Sequence, residues 1–235
     1  MTDTNTGLHP AVTRLRQLFA ARLLEQEPSS VLDVACGDAH LLRALREGDV
    51  HATGLEYSDR RIVQARAEGL EVLFGSAESL PFEDARFDWC AMRHAAHHLT
   101  NPDRGLCECA RVARTGIVVA EPWREKAEPT QQLGAEWDLF TRVLERRRGD
   151  VHHDDLVITS MIARLPVPDE WVSEYTYFQP TGTRALADVE AQAAALNPFA
   201  NPEEQRELER LLAAVRKIGI GITGTAILVA RRRPT

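Results

Sequence analysis

Five short apolar runs alternate with amphipathic stretches through the first half of this chain. They are VLDVA (31–35), HATGLEY (51–57), LEVLFGSA (70–77), FDWCAMR (87–93) and GIVVAEP (116–122). Between them lie DAHLLRALREG, closed by Gly48, SDRRIVQARAEG with Ser58 as its N-cap, and NPDRGLCECARVAR with Asn101 or Asp103 at its start. The intervening stretches carry apolar residues at helical spacing and cap residues at their ends. Runs this apolar must be covered on both faces, so the alternation predicts a parallel sheet flanked by helices.

The rest of the chain extends this frame. Val12, Leu15, Leu18, Phe19 and Leu23 predict a helix over 9–26. Residues 130–165 read as helical, in QLGAEWDLFTRVLERR and again in DDLVITSMIARL. WVSEYTYFQP reads as a strand, 183–217 as two helices broken at NPFANP, and GITGTAILVARR as a terminal strand. At 235 residues one domain is expected. The formal charge of −7 argues against a nucleic-acid or anionic-membrane surface, and Arg146–Arg148 and Arg231–Arg233 read as solvated runs. MTDTNTGLHP lacks a cationic start followed by an apolar core, and no apolar run approaches a membrane span. Cys36, Cys90, Cys107 and Cys109 show no CxxC spacing, which predicts reduced thiols in a cytoplasmic protein.

Ligands of open α/β sheets bind beyond the carboxyl ends of the strands. The turn after the first strand, VLDVACGDAH, keeps only Gly37, flanked by Asp33 and Asp38. A dinucleotide site would want G-x-G-x-x-G, and its phosphates would be repelled by those acids. A ligand bearing an ammonium and a sulfonium, and no phosphate, suits them; S-adenosylmethionine is such a ligand. Glu56, about 20 residues on, stands where an acid can hold ribose hydroxyls. Ser76 and the backbone of Ala77, followed by Glu78, are placed to meet an adenine edge.

At these residues the sequence resembles the class I S-adenosylmethionine-dependent methyltransferases, in the small-molecule branch of the ubiquinone/menaquinone and sterol enzymes. VLDVACGDAHLLRAL resembles the first motif of that family, and GLEYSDRRIVQAR the ribose-binding motif. GSAESLPFEDARFDWCAMRHAAHHLTNPDRGLCECARVAR resembles the central block. The resemblance covers about residues 28–125. It implies a doubly wound, Rossmann-like, seven-stranded α/β sheet with the last strand antiparallel. It also implies a cofactor site: Asp33 near the methionine amine, Ala35, Cys36, Gly37 and Asp38 lining the cofactor, and Glu56 on the ribose. Tyr57 would pack by the adenine, Ser76, Ala77 and Glu78 would border it, and Arg93 or His94 would lie beside the methionine moiety. Departures are equally plain. Ala35 and Ala39 replace two loop glycines and reduce the freedom for positive φ. Asp38 replaces a small or hydroxyl residue, Ser76 replaces an acid, and only Gly116 remains before the fifth strand.

A phenol, catechol or amine acceptor benefits from a general base. His94 is the first candidate and His97 the second, while a structural role is favoured for the pair His97-His98. Glu121 and Trp123, leaving the fifth strand, and Tyr175 and Tyr177 on the sixth are candidate acceptor-side residues. HHDD at 152–155 invites a metal reading, but adjacent residues rarely converge on one ion. No metal is expected, and Asp154 and Asp155 read as acids at a helix start.

The expectation is a single domain, 1–235, with its cofactor-binding core at 28–125 and lid or substrate elements at 1–27, 126–165 and 183–217. It would transfer methyl groups from S-adenosylmethionine to a small molecule in secondary metabolism, as a homodimer, with no nucleic-acid or membrane partner. One alternative is cyclisation of the methionine moiety with release of methylthioadenosine, favoured by Cys36 and Asp38. Another is a non-catalytic ligand-binding protein on the same fold.

Overall fold

A computed structural model describes residues 9–154 and 156–234. One sheet of seven strands organises the chain: β1 (Ser30–Val34), β2 (His51–Glu56), β3 (Val72–Phe74), β4 (Phe87–Arg93), β5 (Ala113–Trp123), β6 (Trp171–Phe178) and β7 (Gly224–Arg232). Their order is β3-β2-β1-β4-β5-β7-β6, with the last strand antiparallel. β1 pairs in parallel with both β2 and β4, so strand order reverses between β1 and β4. Helices α1 (Pro10–Leu24), α2 (His40–Glu47), α3 (Asp59–Ala67) and α4 (Pro102–Val112) accompany the first five strands.

Alternation along the strands sends successive side chains to opposite faces. Val31, Trp89, Ala91, Val118, Ala120, Ile227 and Val229 form one core with Phe19 and Leu23 of α1 and Leu41 and Leu45 of α2. Cys36, Ala39, Leu42, Ile62, Ala65, Leu70 and Val72 form another around α2 and α3. The central pair is fastened at its start by Asp88, whose carboxylate accepts the Ser29 and Ser30 N–H groups at 3.0 and 3.1 Å. Arg111 of α4 pins the turn between β3 and β4 through the Leu80 and Phe82 carbonyls.

The contacts divide the chain into two compact units. The first takes in the described residues of Met1–Glu121, Asp155–Thr176 and Ala226–Thr235. The second, Pro122–Asp154 and Tyr177–Thr225, holds α5 (Pro129–Arg148), α6 (Leu186–Leu196) and α7 (Pro202–Ile218). Leu133 and Trp137 of α5 pack with Val189 and Ala193 of α6 and Leu208, Leu211 and Val215 of α7. A capping box between Asn201 and Glu204 starts α7 just after the NPF turn. Two orphaned N–H donors are thereby satisfied reciprocally.

Three expectations change. The helix read over 154–165 is instead a series of 3-10 turns, Ile158–Ser160, Ile162–Arg164 and Pro168–Glu170. Val157, Ile158, Thr159 and Ile162 are β-branched, and Pro166 and Pro168 follow, so a continuous α-helix is disfavoured there. Asp154 consequently caps no helix; its carboxylate pairs with Arg142 and Arg146 of α5 at 3.2 and 2.6 Å. Asp155 and the segment 1–8 lie outside the described residues. Ser58 does occupy the N-cap of α3, but its side chain makes no capping bond. Lastly, β3 is shorter and β5 longer than read, with β5 starting at Ala113.

Candidate functional site

The reversal between β1 and β4 splays the connections at their carboxyl ends and leaves room for a ligand. The turn after β1 occupies that position. Ala35, Gly37 and Ala39 all adopt left-handed backbone, with φ of 55°, 59° and 59°. For the two alanines this costs roughly 1–2 kcal/mol each. The turn keeps the shape that glycines would give because its hydrogen bonds dictate it. Cys36 N–H donates to the Leu55 carbonyl at 3.0 Å, Ala39 N–H to the Cys36 carbonyl at 2.9 Å, and Gly37 N–H to Glu56 Oε2 at 2.8 Å. Gly54 on β2 lets this turn approach, since a Cβ there would lie 2.9 Å from Cys36 Sγ.

Charge is concentrated around the turn. Asp33 is 3% exposed, its Oδ2 has no hydrogen-bond partner, and burial pushes its carboxyl up to about 8. The Arg93 guanidinium opposes that rise, while Asp38 and Glu56 add to it. The same burial, with the Asp33 and Glu56 carboxylates, keeps the Cys36 thiol protonated. Asp38, by contrast, is held well below the usual carboxylate range, chiefly by its hydrogen bond with His40 and the adjacent Arg16 guanidinium. Its oxygens lie 2.7 Å from Arg16 Nη2 and 3.2 Å from His40 Nδ1. Arg16 Nε, Arg93 Nε and His40 Nε2 are themselves buried without hydrogen-bond partners.

Glu56 ends β2 and is 6% exposed. Its carboxylate accepts N–H groups from Gly37, Tyr57 and Ser58 at 2.8, 2.9 and 2.9 Å. An ionised carboxylate offers about four acceptor positions, so capacity for a ligand hydroxyl remains. Tyr57 is exposed and its ring lies 5.3 Å from that of Phe74, at the end of β3. Ser76 follows β3 with its Oγ accepting the Glu78 N–H at 3.2 Å, and Ala77 is buried. The Glu78 carboxylate is engaged by the Thr100 and Asn101 N–H groups, at 2.7 and 3.1 Å, which ties this turn to the start of α4.

At the end of β4, Arg93 is followed by His94 in left-handed backbone, φ 49°, with its N–H donating to the Ala120 carbonyl at 2.7 Å. Burial, helped by the Arg93 charge, lowers the His94 imidazole to about 3, so it is neutral at physiological pH. The 3-10 turn Ala96–His98 comes next. His97 Nδ1 is bonded to the Glu121 carboxylate at the inner end of β5, and both side chains are buried.

In the second unit Trp123 and Tyr177 stand together, ring centroids 5.2 Å apart. Tyr175 lies half-buried in the first unit. Arg124 is consumed within the second unit by Asp138, Gln131, Thr223 and the Gly221 carbonyl. Motif reading missed Arg16, His40 and Phe74. In sequence Arg16 belongs to the helix pattern of α1, and its distance from the turn hides the pairing with Asp38.

Residues 32–120 match the methyltransferase-domain family model. This segment is similar to methyltransferase domains. An O-methyltransferase of Aspergillus nomiae is 27% identical over 60% of this chain and 67% of its own length. A demethylmenaquinone methyltransferase of Thermotoga maritima is 32% identical over 43% of this chain, which spans 46% of that enzyme. The crystal structure of a Bacillus protein, YcgJ, superposes with a TM-score of 0.62 at 17% identity, covering 93% of this chain and 100% of that one.

S-adenosylmethionine is the cofactor of this domain family. The residues fit it. Asp33 offers a buried acid with an orphaned oxygen, and Arg16, Arg93 and His40 offer buried nitrogens without partners. Asp33 suits the ammonium of an α-amino acid head, and the Arg16 and Arg93 guanidinium groups suit its carboxylate. Glu56 would take the ribose, and Tyr57 with Phe74, rings 5.3 Å apart, would supply an aromatic surface for the adenine.

Proposed function

We propose that this chain transfers a methyl group from S-adenosylmethionine to a small-molecule acceptor in secondary metabolism. The observation that carries the reading is Asp33: a fully buried acid at the switch point of the sheet, with an oxygen left unsatisfied. Such a group is costly unless a ligand pairs with it. The bound cofactor supplies an electrophilic methyl on sulfur.

The chain's own residues hold and exclude. Asp33 receives the ammonium, Arg16 and Arg93 the carboxylate, and Glu56 the ribose. Ala35, Cys36 and Gly37 line the turn with apolar or backbone groups. Ser76 and Ala77 border the adenine, and Glu78 fixes that turn through its bonds to Thr100 and Asn101. His94, held neutral, positions the reacting groups as a hydrogen-bonding partner and is a poor base. Asp38 is already paired with Arg16 and His40, which favours methyl transfer over cyclisation of the methionine tail. Four free cysteines support a reducing compartment, the cytoplasm.

The test is to incubate the protein with S-adenosylmethionine carrying a labelled methyl group and a panel of phenols, catechols and amines. Label on an acceptor is expected. Methylthioadenosine formed without any acceptor would instead indicate cyclisation.

A further inference from the structure

Asp38 is the least expected residue of the turn after β1, an acid where the family this turn resembles carries a small or hydroxyl residue. Its side chain is half exposed, yet both its oxygens are engaged inside the first unit. Oδ2 lies 2.7 Å from Arg16 Nη2 of α1, and Oδ1 lies 3.2 Å from His40 Nδ1. The Arg16 side chain is 18% exposed, and its Nε is buried without a hydrogen-bond partner. Arg93 Nε, at the end of β4, is buried and unpartnered in the same way. The Arg16 charge adds to burial in disfavouring the Arg93 charge, while Asp33 and Asp38 oppose that effect. Two neighbouring guanidinium groups, each with an inner N–H unspent, suit an anionic group of a ligand.

We infer that Asp38 is the positioning residue for Arg16, holding the guanidinium by Nη2 so that its Nε is left to donate to the cofactor's carboxylate. The inference rests on the S-adenosylmethionine reading and deepens it, because α1, outside the motif segments, becomes part of the cofactor site. A guanidinium is a planar fork, so fixing one nitrogen sets the direction of the others. An arginine left unheld samples many rotamers, and ordering it at the moment of binding weakens affinity. Asp38 orders it before the ligand arrives. A hydroxyl at this position could accept one hydrogen bond but has no charge to offset the crowding of Arg16 against Arg93. His40 steadies the carboxylate from its other oxygen: facing an acceptor-only group, Nδ1 is the donor.

An Asp38 that merely braces the turn makes a different forecast. Two ligands separate the roles in calorimetric titration of the full chain: S-adenosylhomocysteine, which carries the amino-acid head, and 5′-methylthioadenosine, which lacks it. Asp38→Thr should weaken S-adenosylhomocysteine about three- to fivefold and leave methylthioadenosine unchanged. Added to Arg16→Ala, the same substitution should weaken S-adenosylhomocysteine no further. Undiminished S-adenosylhomocysteine affinity in Asp38→Thr, equal weakening of both ligands, or a full effect of Asp38→Thr without Arg16 overturns the inference. The Arg16 Nε–H resonance of the ligand-free protein, assigned through Arg16→Lys, is the second measure. It should exchange slowly with water in the wild type and about three- to fivefold faster in Asp38→Thr. Exchange at the open-solvent rate in the wild type overturns the inference even if the variant fails to fold. Failure of the wild type to bind S-adenosylhomocysteine, with this resonance protected, would instead defeat the cofactor reading on which the inference stands.

Discussion

At the scale of single residues, the turn after β1 sets backbone strain and buried charge against ligand binding. Ala39 is wholly buried in left-handed backbone. Ala39→Gly should relieve roughly 1–2 kcal/mol of strain. It also loses about 0.8 kcal/mol of buried methyl and about 0.4–1 kcal/mol through a looser unfolded chain. Chemical denaturation should therefore show a change within about 1 kcal/mol of zero, the balance of those terms. A loss above about 2 kcal/mol would mean that the methyl packs more tightly than its burial suggests. Asp33 gives a pH prediction. Its folded value of about 8 lies above the ordinary 3.8, so the protonated form favours folding. That stability is complete below about pH 4 and is lost as the pH rises through about 8. Urea titrations of the cofactor-free protein should show stability falling across this window, and Asp33→Asn should flatten the fall.

Between elements, close approach decides what can be substituted. At Gly116 a Cβ would stand 2.5 Å from the Ala230 carbonyl and 2.6 Å from the Trp89 ring. Gly116→Ala should cost about 1–3 kcal/mol, read from the denaturation midpoint. Arg16→Ala tests the link between α1 and the turn. Its ion pair with Asp38 is half exposed on the acid side, so stability should fall by no more than about 1 kcal/mol. Affinity for S-adenosylhomocysteine should drop several-fold; unchanged affinity would remove Arg16 from the site. Most of the strands were legible because VLDVA and FDWCAMR are apolar enough to require cover on both faces. The turn was legible because Asp33 and Glu56 stand at the ends of their strands, with Gly37 just after the first. The Arg16–Asp38 pair was not, since nothing local to residue 16 reports a contact 22 positions away. The segment after Asp154 misled for another reason: its apolar spacing is helical, but its β-branched residues and prolines favour short turns.

Across the whole molecule, the cysteines provide a simple check. All four are free, with Cys36, Cys90 and Cys109 buried and Cys107 half-buried. Burial raises the thiols of Cys36, Cys90 and Cys107, so a thiol reagent should label at most Cys107 readily in the native chain and all four in denaturant. The two units hold separate cores, and the cofactor turn belongs wholly to the first. The central claim is that this turn recognises an amino-acid head through Asp33. Titration calorimetry with S-adenosylhomocysteine at pH 7, in two buffers of different ionisation enthalpy, tests it most directly. The wild type should bind and release about one proton, because the arriving ammonium lowers the Asp33 carboxyl from about 8. Asp33→Asn should bind roughly 10- to 100-fold more weakly and release none. Equal affinity in the two proteins, or no binding to the wild type, would contradict the account.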